Sequence, residues 1–219
     1  MKLALFEGQR RAPAPGLQGQ CPSCGAPVMA KCGNYKIWHW AHKTREHCDP
    51  WWESEGEWHR SWKDRFPQEW QEIPHQSSTG ERHVADIRTP AGLVIEFQRS
   101  TIHPDEVLAR QAYYAKMIWV IDGCKNEFDP INFSNWRSQP NEHGLAQFAV
   151  FGRSKLFERW HTEKPVFIDF GKAGFWRIAH YSPKTKRGVA LIVDKEAFVR
   201  VVGSGSTDFS GQGGPASPL

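Results

Sequence analysis

Apolar and polar positions alternate most cleanly in HVADIRTPAGLVIEFQRS, residues 83–100, where two strand-like runs flank a Pro-Ala-Gly turn. A three-residue loop at 90–92 suits Pro90 in a type I turn and Gly92 in the left-handed position after it. Residue 89 then faces 93, Ala85 pairs with Phe97, and Ile87 pairs with Ile95, so one face of the hairpin is apolar throughout. The opposite face carries Asp86 across from Glu96, with Val84 and Gln98 beside them. Upstream, WWESEGEWHRSWKDRFP predicts a helix with Ser54 as N-cap, Glu57 completing a capping box and Pro67 as the stop. Trp58, Trp62 and Phe66 recur along it as a core-facing stripe. Glu55, His59 and Lys63 form an adjacent row, read as a solvated face unless a sheet lies opposite.

Between that helix and the hairpin, EWQEIPHQ at 69–76 predicts a weak strand. After the hairpin, Pro104 opens a helix whose first turn carries Asp105 and Glu106, with His103 at the capping position. MIWVID then has the fully apolar character of a buried parallel strand, so strand, helix and strand make a right-handed βαβ crossover. Further strands are predicted at 3–7, 165–170, 174–179 and 188–194, and residues 203–219 read as a Gly/Ser/Pro-rich disordered tail. The resulting organisation is a strand, linker and cysteine-rich module over 1–50, an α/β core over 51–125, a β-rich extension over 126–202, and the tail.

Composition narrows this picture only modestly. With 219 residues, 39% hydrophobic and 24% charged, the chain has the make-up of a soluble globular protein. No apolar run reaches membrane-spanning length and no secretory signal is legible, which places the chain in the cytosol. A net charge of +4 permits a polyanionic partner without requiring one. The eleven tryptophans are read first as core packing and second as base-stacking platforms.

Four of the five cysteines fall within residues 21–48, together with His39, His42 and His47. CPSCG is a C-x2-C knuckle that aims two sulfurs at one ion, and KCGNYKIWHW reads as a hairpin turning at Gly33-Asn34 that returns the histidines toward it. Cys21, Cys24, His42 and Cys48 are the expected zinc ligands, with His39 as the alternative. In a cytosolic chain such a set is a structural zinc site, closed to catalysis because every ligand position is filled.

Asp86 and Glu96 directly across a hairpin lie roughly 5 Å apart at Cβ and repel unless a cation stands between them. Hard carboxylate oxygens suit Mg²⁺, and the competing explanation is an exposed strand face balanced by Arg82, Arg88 and Arg99.

The order helix, three strands, helix, strand, with Asp86 followed by Glu96-x-Gln98, resembles the PD-(D/E)XK nuclease superfamily. More closely, CPSCG, HWAH with Cys48, EGEWHRSWK, RHVAD, IEFQRSTI and RQAYYAKMIWVID resemble the CoiA-like competence family over about 20–122. The resemblance implies an α/β fold with a restriction-endonuclease-like α-β-β-β-α-β core, an N-terminal zinc-knuckle module and a C-terminal β-rich extension. It implies Mg²⁺- or Mn²⁺-dependent cleavage of DNA in uptake or recombination, alongside proteins of those pathways. By the same resemblance Asp86 and Glu96 are metal ligands, Glu55 is a third catalytic acid, and Gln98 replaces the superfamily lysine. His59 and Lys63 support the site, while Arg82, Arg99 and Arg110 meet DNA phosphates. Two other classes stay open: a catalytically silent DNA-binding module, and a zinc-stapled interaction adaptor in DNA uptake or phage defence.

Overall fold

The computed structural model describes residues 1–44, 48–152 and 154–209. The chain divides into two compact units at Arg88/Thr89, so Asp86 belongs to the first unit and Glu96 and Gln98 to the second.

In the first unit, β1 (Ala4–Phe6), β2 (Gln9–Arg11), β3 (Gln18–Gln20), β4 (Pro27–Lys31) and β5 (His39–His42) form an antiparallel sheet in the order β2-β1-β3-β4-β5. β1 turns into β2 through Glu7 and Gly8, both at positive φ, the geometry of a type I′ hairpin. The β4–β5 connection is longer than the Gly33-Asn34 turn predicted for it, because pairing ends at Lys31 opposite His39. Beneath the sheet, Ala4, Cys21, Val28 and Trp40 make a very small core, with the Trp40 indole donating to Arg11 O at 2.9 Å.

Helix α1 (Glu57–Lys63) follows, then β6 (Gln71–Gln76) and β7 (Arg82–Arg88), which pair antiparallel with Ile73 opposite Ala85. The predicted capping box is absent: α1 starts at Gly56 without a side-chain cap. Its C-terminal end is closed instead by Gln71, whose Nε2 donates to Lys63 O at 2.9 Å and Phe66 O at 2.8 Å. Trp62 and Phe66 are buried as the stripe predicts, and so are His59 and Lys63, so the second row is an interior one.

The second unit starts with the turn the sequence predicts. Gly92 N–H donates to Thr89 O at 2.8 Å, Thr89 N–H donates to Leu93 O at 2.9 Å, and Gly92 has φ +77°. Then come β8 (Val94–Gln98), α2 (Pro104–Tyr113) and β9 (Met117–Asp122), with β8 and β9 parallel as a βαβ unit requires. His103 caps α2 through Nδ1, which accepts from Asp105 N–H at 3.3 Å, so the imidazole serves where a Ser-type oxygen is usual.

The remaining elements are α3 (Phe128–Asn135), β10 (Leu145–Ala149), α4 (Lys155–Arg159), β11 (Val166–Asp169), β12 (Phe175–Ser182), β13 (Arg187–Ile192) and α5 (Lys195–Gly203). β11 pairs parallel with β9, and the strands run β10-β13-β12-β11-β9-β8, so the β-rich extension continues the sheet started by β8. Trp119 and Trp176 are fully buried and Trp160 nearly so, as the packing reading expects, while Trp38, Trp52 and Trp136 are exposed. Residues 204–209, the start of the segment predicted to lack order, carry Phe209 into this core against Phe167 and Phe198, and residues 210–219 of that segment lie outside the described residues. Among the described residues no helix is long and apolar enough to cross a membrane.

Candidate functional site

The knuckle at 21–26 closes through Gly25 N–H donating to Cys21 O and Cys21 N–H donating to Ala26 O, each at 2.9 Å. Gly25 sits at φ +73°, a conformation open to glycine and costly for other residues. Pairing of β4 with β5 sets Val28 opposite His42 and returns the imidazole to the knuckle. Cys24 Sγ then lies 3.3 Å from His42 Nε2, and Cys21 Sγ lies 3.7 Å from Cys48 Sγ. One ligand atom from each of Cys21, Cys24, His42 and Cys48 falls within 4.8 Å of the others.

Three sulfurs and one imidazole nitrogen are the donor set of a structural zinc site, and these residues fit that ion. Burial raises the Cys21 thiol, and burial with the neighbouring Cys21 and Cys24 sulfurs pushes Cys48 up to about 12. Crowded thiols of this kind ionise only when a cation compensates the charge. His39 stands outside the group, with Nδ1 2.9 Å from Ile37 O. Cys32 is also outside it, and His47 lies outside the described residues.

A second constellation centres on Lys63. Its ammonium lies 3.0 Å from Asp86 Oδ1 and 3.2 Å from Glu72 Oε1, and it also pairs with Glu55. His59 Nε2 stands 2.9 Å from Asp86 Oδ2, and Arg60 Nε 3.2 Å from Glu55 Oε2. Helix α1 places His59 and Lys63 one turn apart on the face that meets β6 and β7. Glu55 reaches the same place from the irregular segment before the helix.

Electrostatics favour the charged forms of Glu55 and Lys63. Burial alone would lift the Glu55 carboxyl, but the Lys63 ammonium and the His59 ring outweigh it and keep it far below the usual range. For Lys63 burial works against the charge and is overcome by Asp86, Glu55 and Glu72, which raise its pKa well above normal. One ligand atom each from Glu55, His59 and Asp86 lies within 4.8 Å of the others, a set that can hold a divalent ion.

Glu72 is the member that sequence reasoning missed. It accepts from Lys2 N–H at 2.7 Å and Leu3 N–H at 2.8 Å, and its backbone has φ +49°. The available signal was the adjacent Gln71-Glu72 pair at a strand start, since neighbouring strand residues point to opposite faces and one must turn inward. The positive φ at Glu72 lets both do so, and both are buried. Asp49 and His83 were missed too. The carboxylate directly after Cys48 meets His83 Nδ1 and accepts from Val84 N–H, each at 2.8 Å, tying the chain beside the cysteine cluster to β7.

In the second unit Glu96 and Gln98 are buried. Glu96 Oε2 accepts from Arg110 Nη1 at 3.2 Å, and Gln98 Nε2 donates to Ser100 Oγ at 3.1 Å. Arg110, predicted to meet phosphate, is 4% exposed and pairs with Glu96 and Glu106. Arg82 is exposed, and Arg99 is half-exposed with its guanidinium 3.0 Å from Asp122.

Residues 18–50 match the family model described as Competence protein CoiA, N-terminal domain. No curated protein and no solved structure matches the chain.

Proposed function

We propose that the protein hydrolyses DNA phosphodiester bonds with a divalent cation held by Glu55, His59 and Asp86, in a competence-related step of DNA uptake or recombination. The observation that carries this reading is the largely shielded grouping of those three ligands around the Lys63 ammonium. Two carboxylates and one imidazole nitrogen fit Mn²⁺ at least as well as Mg²⁺, which prefers oxygen alone. Bound there, such an ion would polarise a phosphoryl oxygen and favour ionisation of the attacking water.

The chain's own residues have definite tasks. Lys63 pairs with both Glu55 and Asp86 and fixes them, and before an ion binds His59 Nε2 holds the second oxygen of Asp86. The exposed Arg82 and Arg99 offer charge to phosphate. Glu96 and Gln98 belong to the second unit, where they meet Arg110 and Ser100, and the proposed ion site is drawn from Glu55, His59 and Asp86 alone. The match over residues 18–50 supports the competence setting.

One feature of the same constellation favours the silent-module reading: Lys63 already contacts both Glu55 and Asp86, so the carboxylates are balanced without a metal. A nuclease assay separates the two. Single- and double-stranded DNA are incubated with Mn²⁺ or Mg²⁺, with EDTA as control. The nuclease reading expects EDTA to stop cleavage, and Asp86→Asn and Glu55→Gln each to lower the rate by about 100-fold or more. Undiminished cleavage by Asp86→Asn would falsify it, and metal-independent DNA binding without cleavage supports the silent module.

A further inference from the structure

A cleft of about 330 Å³ in the first unit opens against Glu55, with Tyr35, Lys36, Trp52, Arg60 and His39 in its walls. Exposed aromatics scattered singly are ordinary on a protein surface. Here Tyr35 is fully exposed and Trp52 is 44% exposed, and both border one concavity together with two cations. Such a combination of π-faces and positive charge is how proteins grip unpaired nucleotides, the rings stacking on bases and the cations meeting the backbone.

Size and position narrow the ligand. The volume is near the lower end of small-ligand pockets, roughly 300–1,000 Å³, which suits one nucleotide and not a stacked base pair. In a duplex both faces of a base are covered by neighbours, so only an unstacked base can present one to a tryptophan or tyrosine. Arg60 is 3.2 Å from Glu55 Oε2, while the other Glu55 oxygen pairs with Lys63. Glu55 is therefore the wall shared by the cleft and the buried ion constellation.

The geometry points to a cleft that takes one unpaired nucleotide of single-stranded DNA, its base against Trp52 and Tyr35 and its phosphate at Lys36 and Arg60. This makes single-stranded DNA the substrate class of the site proposed above. The catalytic half of the assignment rests on that reading, and the binding half does not.

The test is fluorescence anisotropy of a labelled oligothymidine and of a duplex of equal length, at matched salt and in EDTA so that nothing is cut. The single strand is expected to bind at least about tenfold tighter than the duplex. Trp52→Ala and Tyr35→Ala should each weaken single-strand binding about fivefold or more, with duplex binding changed less than about twofold. Trp52→Phe should retain most of the affinity, and Trp136→Ala, which removes an exposed ring of the second unit, should retain all of it. Circular dichroism verifies that each variant is folded. Equal affinity for single strand and duplex, or wild-type binding by both alanine variants, overturns the assignment. If the aromatic variants lose binding while Asp86→Asn still cuts, the cleft stands and the catalytic reading falls; unchanged binding with cleavage abolished by Asp86→Asn gives the reverse.

Discussion

Lys63 Nζ stands 3.0 Å from Asp86 Oδ1 with only 2% of the lysine side chain exposed, an ammonium from α1 locked onto a carboxylate of β7. With Glu55 and Glu72 on the same nitrogen, its removal leaves three carboxylates facing one another in the interior. Lys63→Met is therefore expected to destabilise the protein by about 3–5 kcal/mol, the range for breaking a buried ion pair from one side. Urea unfolding followed by tryptophan fluorescence measures this. A variant as stable as the parent would show that the carboxylates are balanced by something other than Lys63.

The same network sets a pH window. Glu55 has a depressed pKa, so its contribution is present above the ordinary value of 4.5 and is lost as pH falls through the folded value. Lys63 has a raised pKa, so its contribution is present below 10.5 and is lost as pH rises toward the folded value. Urea midpoints should accordingly form a plateau between these limits and decline on both sides. In Lys63→Met the main force depressing Glu55 is gone, and the acid decline should start at higher pH.

The sequence made the second unit more legible than the first. MIWVID announced a parallel strand because a short run apolar on every residue needs cover on both faces. Pro90 and Gly92 specified their turn through backbone preferences that act locally. The burial of Glu55, His59 and Lys63 was not legible, because i,i+4 spacing says which residues share a helix face but not what that face meets. Ser54 and Glu57 spelled a capping box, yet Glu55 is drawn to Lys63 and Arg60 and the helix starts without it. Phe209 was hidden because a lone aromatic among Gly, Ser and Pro gives no periodicity to read.

Zinc content is the most direct test of the N-terminal module. About one zinc per chain is expected by elemental analysis, lost in Cys24→Ser and His42→Ala and retained in His39→Ala. Cys48 is held protonated by burial and by neighbouring sulfurs, with its pKa near 12 in the absence of metal. Zinc binding must displace that proton, so calorimetry in buffers of different ionisation enthalpy should show net proton release, and affinity should fall as pH falls. Because the module's buried cluster is small, with Ala4, Cys21, Val28 and Trp40 at its centre among the described residues, metal removal should also expose its backbone to hydrogen exchange.

Phe209 is fully buried against Phe167 and Phe198, so it belongs to the second unit's core despite its Gly/Ser-rich surroundings. Phe209→Ala should cost about 3–5 kcal/mol, the usual range for deleting a buried phenyl ring. Limited proteolysis gives an independent readout: cleavage near residue 204 should be slow in the parent and fast in the variant. Equal cleavage rates would place the ring outside the core.

Two arginines predicted to meet DNA should now behave oppositely. Arg82 is exposed on β7, and Arg82→Ala should weaken DNA binding without altering stability while lowering the slope of log K against log salt by about one. Arg110 is buried on Glu96, and Arg110→Ala leaves that carboxylate without its guanidinium in the interior. A loss of about 3–5 kcal/mol in stability is expected, with the salt slope of the folded fraction unchanged. Anisotropy titrations across a salt series, with urea unfolding of the same samples, decide the matter. A reduced salt slope for a fully stable Arg110→Ala would return that residue to the DNA-contacting set.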